Sequence, residues 1–158
     1  MDDALIGTGL EMIGDDPLVV KYRKDWFHIH TYGQLTPFFH GLREGRLLGT
    51  RCADPGCETR AWLPPRAHCP DCLQRTAWVE LPQVGEIFTH TTIEYPGALF
   101  KLSTPRPLIS VAIDGVCTKP MSYLLEGTPR IGMPVRAWFR TASPTNTILD
   151  LAWVPAGG

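Results

Sequence analysis

Cys52-Ala53-Asp54-Pro55-Gly56-Cys57, then eleven residues, then Cys69-Pro70-Asp71-Cys72: this stretch organises the chain. Each pair of cysteines brackets a turn. Pro55-Gly56 sits in one and Pro70-Asp71 in the other, residue types that reverse a backbone within a few positions. Two such knuckles offer four thiolates, and a tetrahedron of four thiolates is a preferred environment of Zn²⁺. The spacer carries Trp62-Leu63-Pro64-Pro65 and is long enough for a hairpin that returns the second pair to the first. The pattern is that of a rubredoxin-like zinc ribbon with Cys52, Cys57, Cys69 and Cys72 as ligands. The first pair is spaced more widely than usual, which loosens its knuckle. In this reading the zinc is structural and supplies folding energy to a segment with little apolar core of its own. A redox Cys69-x-x-Cys72 leaves the upstream pair without a role and lacks a flanking βαβ pattern. A catalytic zinc keeps an open position and uses fewer thiolates. His68, beside four well-spaced cysteines, reads as a bystander, and a cluster of free thiols that has lost its metal is the remaining alternative.

Outward from the cluster, residues 35–45 read as a short helix. Thr36 can cap it, Pro37 suits its first turn, and Gly45 suits its end. Phe38, Phe39 and Leu42 form its apolar stripe. Arg46 to Thr50 then reads as a strand running into Cys52. Downstream, Val84 to Tyr95 alternates, with Ile87, Thr89, Thr91, Ile93 and Tyr95 on one face. Leu108 to Ile113 is a buried strand, and Val116 to Leu125 follows across an Asp114-Gly115 turn, a hairpin signal. Val135 to Arg140 and Ile148 to Val154 bring the count to five. Five short strands point to a small barrel of the OB type; periodicity does not separate this from a small sandwich.

The chain has 158 residues, enough for one domain or two small ones. Fifteen glycines and fifteen prolines disfavour a helix bundle and favour strands joined by turns. The expected organisation is mainly β: an arm over 1–33, a helix with zinc ribbon over 34–82, and a five-stranded OB-fold barrel over 83–158. The arm is acidic, with six Asp or Glu against Lys21, Arg23 and Lys24. It ends in Trp26-Phe27-His28-Ile29-His30-Thr31-Tyr32. No secretory signal and no membrane-length apolar run is evident, so a cytoplasmic location is expected. Five cysteines in a reducing compartment then argue for metal rather than disulfides. The formal net charge of −1 disfavours a polyanion binder.

No phosphate-cradling glycine loop, nucleophile elbow or carboxylate pair stands out. Cys117 reads as a small buried hydrophobe in a strand. His28 and His30 share a face if extended and read as part of an aromatic surface. His40 and His90 read as ordinary, partly buried histidines.

The order of short helix, ribbon and barrel resembles the acyl-CoA-associated zinc-ribbon/OB-fold family, long labelled a domain of unknown function. The resemblance rests on Phe39-His-Gly-Leu42, Glu44-Gly-Arg-Leu-Leu48, Arg51-Cys52, Leu63-Pro-Pro-Arg66, Cys69-Pro-Asp-Cys72, Gly85-Glu-Ile-Phe-Thr-His-Thr91, Pro107 to Ile113 and Ile131-Gly-Met-Pro-Val135. It covers about residues 36–154, with Phe39 where the family often has Trp. It implies a non-catalytic subunit that accompanies a thiolase-superfamily protein in a heterotetramer or larger assembly. It also implies that the barrel helps hold a shared CoA or acyl-CoA, of an aromatic or steroid type, while the partner carries the catalytic residues. Arg51, Arg66 and Lys101 are the cations this would place near CoA phosphates. Trp26, Phe27, Tyr32, Phe38 and Phe39 are the expected docking surface, since aromatics gather at interface centres. The competing reading is a single-stranded nucleic-acid or tRNA-binding module built on the same two folds.

Overall fold

In a computed structural model the described residues are 11–21, 27–57, 60–95 and 103–157, and among them lie nine strands and one α-helix. They fall into two compact units, Met1–Thr31 and Tyr32–Gly158. In the first, β1 (Glu11–Asp15) and β2 (Leu18–Lys21) pair antiparallel around Asp16-Pro17, with a register shift between Met12 and Gly14. The sequence gives no period here because the shift breaks the alternation. Ile13 and Leu18 are exposed on this hairpin.

The second unit begins with a 3-10 turn, Gly33–Leu35, and helix α1, Thr36–Arg43. Leu35 rather than Thr36 occupies the cap position. The Thr36 hydroxyl instead donates back to the Gly33 carbonyl at 2.7 Å. The helix ends as expected: Gly45 has φ +73°, a conformation without penalty only for glycine. Arg46 N–H then reaches the Gly41 carbonyl at 2.8 Å and Gly45 N–H the Leu42 carbonyl at 3.2 Å, the paired bonds of a Schellman motif.

The ribbon follows. β3 (Leu48–Cys52) pairs antiparallel with β4 (Thr76–Glu80). On its other side Thr50 and Trp62 exchange both backbone hydrogen bonds. The ribbon is therefore a two-stranded sheet whose β3 is also bridged at Thr50 by the spacer residue Trp62.

The barrel is a five-stranded sheet. Its strands are β5 (Val84–Ile93), β6 (Arg106–Ala112), β7 (Met121–Tyr123), β8 (Pro134–Phe139) and β9 (Leu151–Pro155). The hydrogen-bonded order is β7-β6-β5-β8-β9. A parallel bridge between Leu124 and Trp153 joins the two ends, and Leu125 N–H donates to the Trp153 carbonyl at 2.9 Å. That closure makes the sheet an OB barrel rather than a sandwich.

Two strands differ from expectation. A bulge between Ile87 and Thr89 breaks the alternation of β5. Ile87 is buried, but Thr89 and Thr91 are exposed and Tyr95 lies beyond the strand. The expected strand from Val116 to Leu125 is strand only at Met121–Tyr123. Residues 115–118 leave the sheet and grip the ribbon. Ala61 N–H donates to the Gly115 carbonyl and Cys117 N–H to the Ala61 carbonyl, both at 2.9 Å. Thr118 Oγ1 accepts from Leu63 N–H at 3.1 Å and donates to the Leu63 carbonyl at 2.5 Å. Cys117 thus sits in a loop, half-buried, its thiol donating to the Ala61 carbonyl at 3.2 Å.

These bonds accompany one continuous apolar core. Phe38 and Leu42 of α1 and Ala61, Leu63 and Leu81 of the ribbon cluster with Ile87, Ile109, Val111, Val135 and Trp153 of the barrel. A Thr118→Val chain keeps the side-chain volume but leaves the Leu63 N–H and C=O, on a fully buried residue, without partners. We expect it to lose about 2 kcal/mol of stability, read as a lower denaturant midpoint at unchanged slope. No helix among the described residues is long and apolar enough to cross a membrane.

Candidate metal centre

β3 delivers Cys52 at its end, and the loop after it delivers Cys57. Asp54 shapes that first knuckle: its carboxylate accepts from Gly56 N–H at 2.9 Å and its carbonyl from Cys57 N–H at 3.1 Å. The second knuckle is closed by Leu73 N–H to the Cys69 carbonyl at 2.9 Å and Cys69 N–H to the Gln74 carbonyl at 2.8 Å. Leu73 turns it with φ 62°, a left-handed conformation that a non-glycine residue adopts at a cost.

The four sulfurs all lie within 4.8 Å of one another. Cys52 Sγ and Cys72 Sγ are 3.3 Å apart, Cys57 Sγ and Cys69 Sγ 3.8 Å. A disulfide requires about 2.05 Å, and all four thiols are free. Zn–S bonds of about 2.3 Å in a tetrahedron place sulfurs about 3.8 Å apart, inside the observed range.

The local electrostatics also suit a cation. The Cys72 N–H, with that of Asp71, holds the Cys69 thiol below its usual value, against a burial that opposes it. Burial pushes Cys57 up to about 12, with the Cys69 sulfur adding to the shift, and burial raises Cys52. Sulfurs crowded together this way resist ionisation one after another, and a divalent ion at their centre removes that resistance. The four cysteines can therefore hold a metal ion. His68 is exposed and pairs through its backbone with Arg75, outside this cluster of four sulfurs.

The other singled-out residues do not converge on one place. Arg66 is pinned with its guanidinium over the Trp62 ring, 4.9 Å from the centroid, and its N–H donates to Thr50 Oγ1 at 2.8 Å. Arg51 is exposed on β3 opposite Ala77. Lys101 and Trp26 lie outside the described residues. Phe38, expected at a docking surface, is 3% exposed and belongs to the core. Phe39 packs against that core and stacks on Tyr32 at 3.6 Å between centroids. Phe27 is 95% exposed, and the His28 and His30 rings lie 4.9 Å apart. His40 and His90 are exposed rather than partly buried, since α1 and the outer part of β5 turn them to solvent. The arginines of the ribbon stretch, Arg43, Arg46, Arg51, Arg60, Arg66 and Arg75, read from sequence as solvated, partner-facing or contacts to one small polyphosphate; of these Arg66 and Arg75 share a groove, through a backbone pairing of Arg75 with His68 that has no local signature.

Comparison with known proteins supports the architecture. Residues 78–140 match the family model of the ChsH2 C-terminal OB-fold domain. Among solved structures, the Ltp2-ChsH2(DUF35) aldolase aligns with a TM-score of 0.62 at 24% identity, over 82% of this chain and 99% of that one. A DUF35-family protein of unknown function from Sulfolobus solfataricus aligns with a TM-score of 0.52 at 22% identity, over 66% of this chain and 78% of that one. No curated protein matches. Over residues 78–140 the chain thus carries an OB-fold domain that matches the ChsH2 C-terminal family, and its fold is that of the two solved structures.

Proposed function

We propose that this chain is a non-catalytic, zinc-binding accessory subunit of a thiolase-like enzyme, whether thiolase, aldolase or acyltransferase. The observation that carries the reading is the fold shared with ChsH2 of the Ltp2-ChsH2(DUF35) aldolase, over nearly the whole of the aligned chain. The zinc, held by Cys52, Cys57, Cys69 and Cys72, is structural: a closed four-sulfur shell leaves no position for substrate. Its work is to fix the ribbon, and with it α1, as a rigid body against the partner. The barrel contributes to holding an acyl-CoA of aromatic or steroid type, with exposed Arg51 as one candidate phosphate contact, while the partner performs the bond-making.

The test is co-expression with a thiolase-superfamily protein encoded beside this chain. The two are expected to copurify as a heterotetramer or larger complex, and the partner alone is expected to be less soluble or less active. A partner that is equally soluble and active alone, with no copurification, overturns the reading. Salt-sensitive binding of an oligonucleotide in place of acyl-CoA gives the protein to the nucleic-acid reading instead.

A further inference from the structure

Within the Tyr32–Gly158 unit, α1 and the ribbon are bordered by three adjoining grooves. One, of about 320 Å³, lies between Gln34-Leu35 and the ribbon residues Arg66, Arg75 and Trp78. The next, of about 210 Å³, begins at Thr36 and runs along Phe39 to Arg43. The third, of about 420 Å³, shares His40 and Arg43 with the second. The second and third share residues of α1, and the first is lined by Gln34 and Leu35 in the turn that leads directly into that helix; together they are taken as one track.

The track is cationic. Arg43, Arg66 and Arg75 are exposed and make no ion pair among the described residues. Its carboxylate, Glu44, is engaged with Arg46 at 3.5 Å, and Arg46 is also bound to Glu80 at 3.1 Å. One of these cations has its head group fixed in advance, and another has its backbone fixed. Arg66 is stacked on Trp62 and held by its backbone to Thr50 and Thr76. Arg75 lies between the knuckles: its carbonyl accepts from Ala53 N–H at 3.1 Å, and its backbone pairs with His68. A guanidinium held in place, as that of Arg66 is, loses little freedom when it forks onto a carboxylate.

The aromatic rings decide the class of occupant. Bases bind protein by stacking on open ring faces. Here Tyr32 and Phe39 cover each other, Arg66 covers Trp62, and Phe38 is buried. Trp78, 37% exposed, is the partly open ring of the track. We propose that this track is the docking groove for an extended, carboxylate-rich segment of a partner protein. The proposal rests on the accessory-subunit reading for the identity of the partner, but the groove's chemistry is testable without it.

The probe is a fluorescein-labelled deca-glutamate peptide, titrated with the full-length zinc-loaded chain at low ionic strength and followed by anisotropy. It is expected to bind, to weaken as salt rises, and to weaken about tenfold or more in an Arg66→Glu/Arg75→Glu chain. A separate Arg43→Glu chain, altered on the helix away from the cysteines, is expected to weaken it in the same direction. Zinc content and thermal midpoint of each variant show that it is folded. Affinity indifferent to all three reversals overturns the proposal. So does an oligothymidylate that binds as tightly as the peptide, or CoA that displaces the peptide, which returns Arg66 to a phosphate-binding role. The same variants are carried into co-expression with the thiolase-like protein. A wild-type complex that survives every reversal at full yield sinks the groove and leaves the subunit reading standing. Charge-sensitive peptide binding without any complex does the opposite.

Discussion

A Cys69→Ser chain is expected to purify without zinc and with its ribbon unfolded, whereas elemental analysis of the freshly purified wild type is expected to give one zinc per chain. The magnitude follows from what the metal supplies. Structural zinc contributes on the order of 10–16 kcal/mol in small sites, against a net stability of about 5–15 kcal/mol for a whole domain. Around the cysteines little replaces it: the core residues of the ribbon, Ala61, Leu63 and Leu81, lie on the barrel side, while β3 and β4 pair over only five residues each and most β4 side chains face solvent. Hydrogen exchange reads the outcome directly. Amides of Leu48–Cys52 and Thr76–Glu80 should lose their protection in the variant and in chelated wild type, and the complex with the thiolase-like partner should be lost too. Because thiols must ionise to bind, acidification is expected to release the metal with the same loss of protection. Full protection of these amides in a zinc-free chain overturns the structural role.

The second large effect is expected at Trp153. Its side chain is fully buried, packs in the core shared by helix, ribbon and barrel, and stands at the bridge that closes the barrel. Truncation to alanine leaves a cavity the size of an indole and should cost about 3–5 kcal/mol. Trp153→Phe should cost much less. The indole Nε1 is buried without a hydrogen-bond partner, so phenylalanine removes an unsatisfied donor together with some packing. Denaturant midpoints of the two variants measure the contrast. An alanine variant within about 1 kcal/mol of wild type refutes the role of Trp153 in closure.

What the sequence disclosed follows the range of the interactions. The knuckles were legible because Pro, Gly and Asp act within a few residues of each cysteine. Helix α1 was legible from its stripe and from Gly45, although Thr36 turned out to bond backward rather than cap forward. The five barrel strands were legible from an apolar run at 108–113, from alternation at 84–95 and from turn residues between the others, although only Met121–Tyr123 of the 116–125 stretch is strand. Hidden were contacts between distant segments. The grip of residues 115–118 on Ala61 and Leu63 looks locally like more strand. The bulge at Phe88 makes an alternating strand appear one-faced when its outer part is open to solvent. Phe38 and Phe39 are neighbours of one chemical type, and their side of the helix decides that one is core and the other borders the track. The pairing that places Arg75 beside Arg66 could not be read from either residue alone.

The parallel bridge between Leu124 and Trp153 has a consequence for assembly in the test tube and the cell. β7 and β9 are the two edges of the sheet, and they are tied to each other by this bridge and by the Ser122 hydroxyl, which donates to the Leu151 carbonyl. β9 is the last strand among the described residues, so until it arrives both β8 and the end of β7 present unpaired backbone to any passing strand. Shortening the chain before Leu151 would therefore expose two templates for intermolecular pairing at once, and insolubility, rather than a smaller folded barrel, is the outcome to expect.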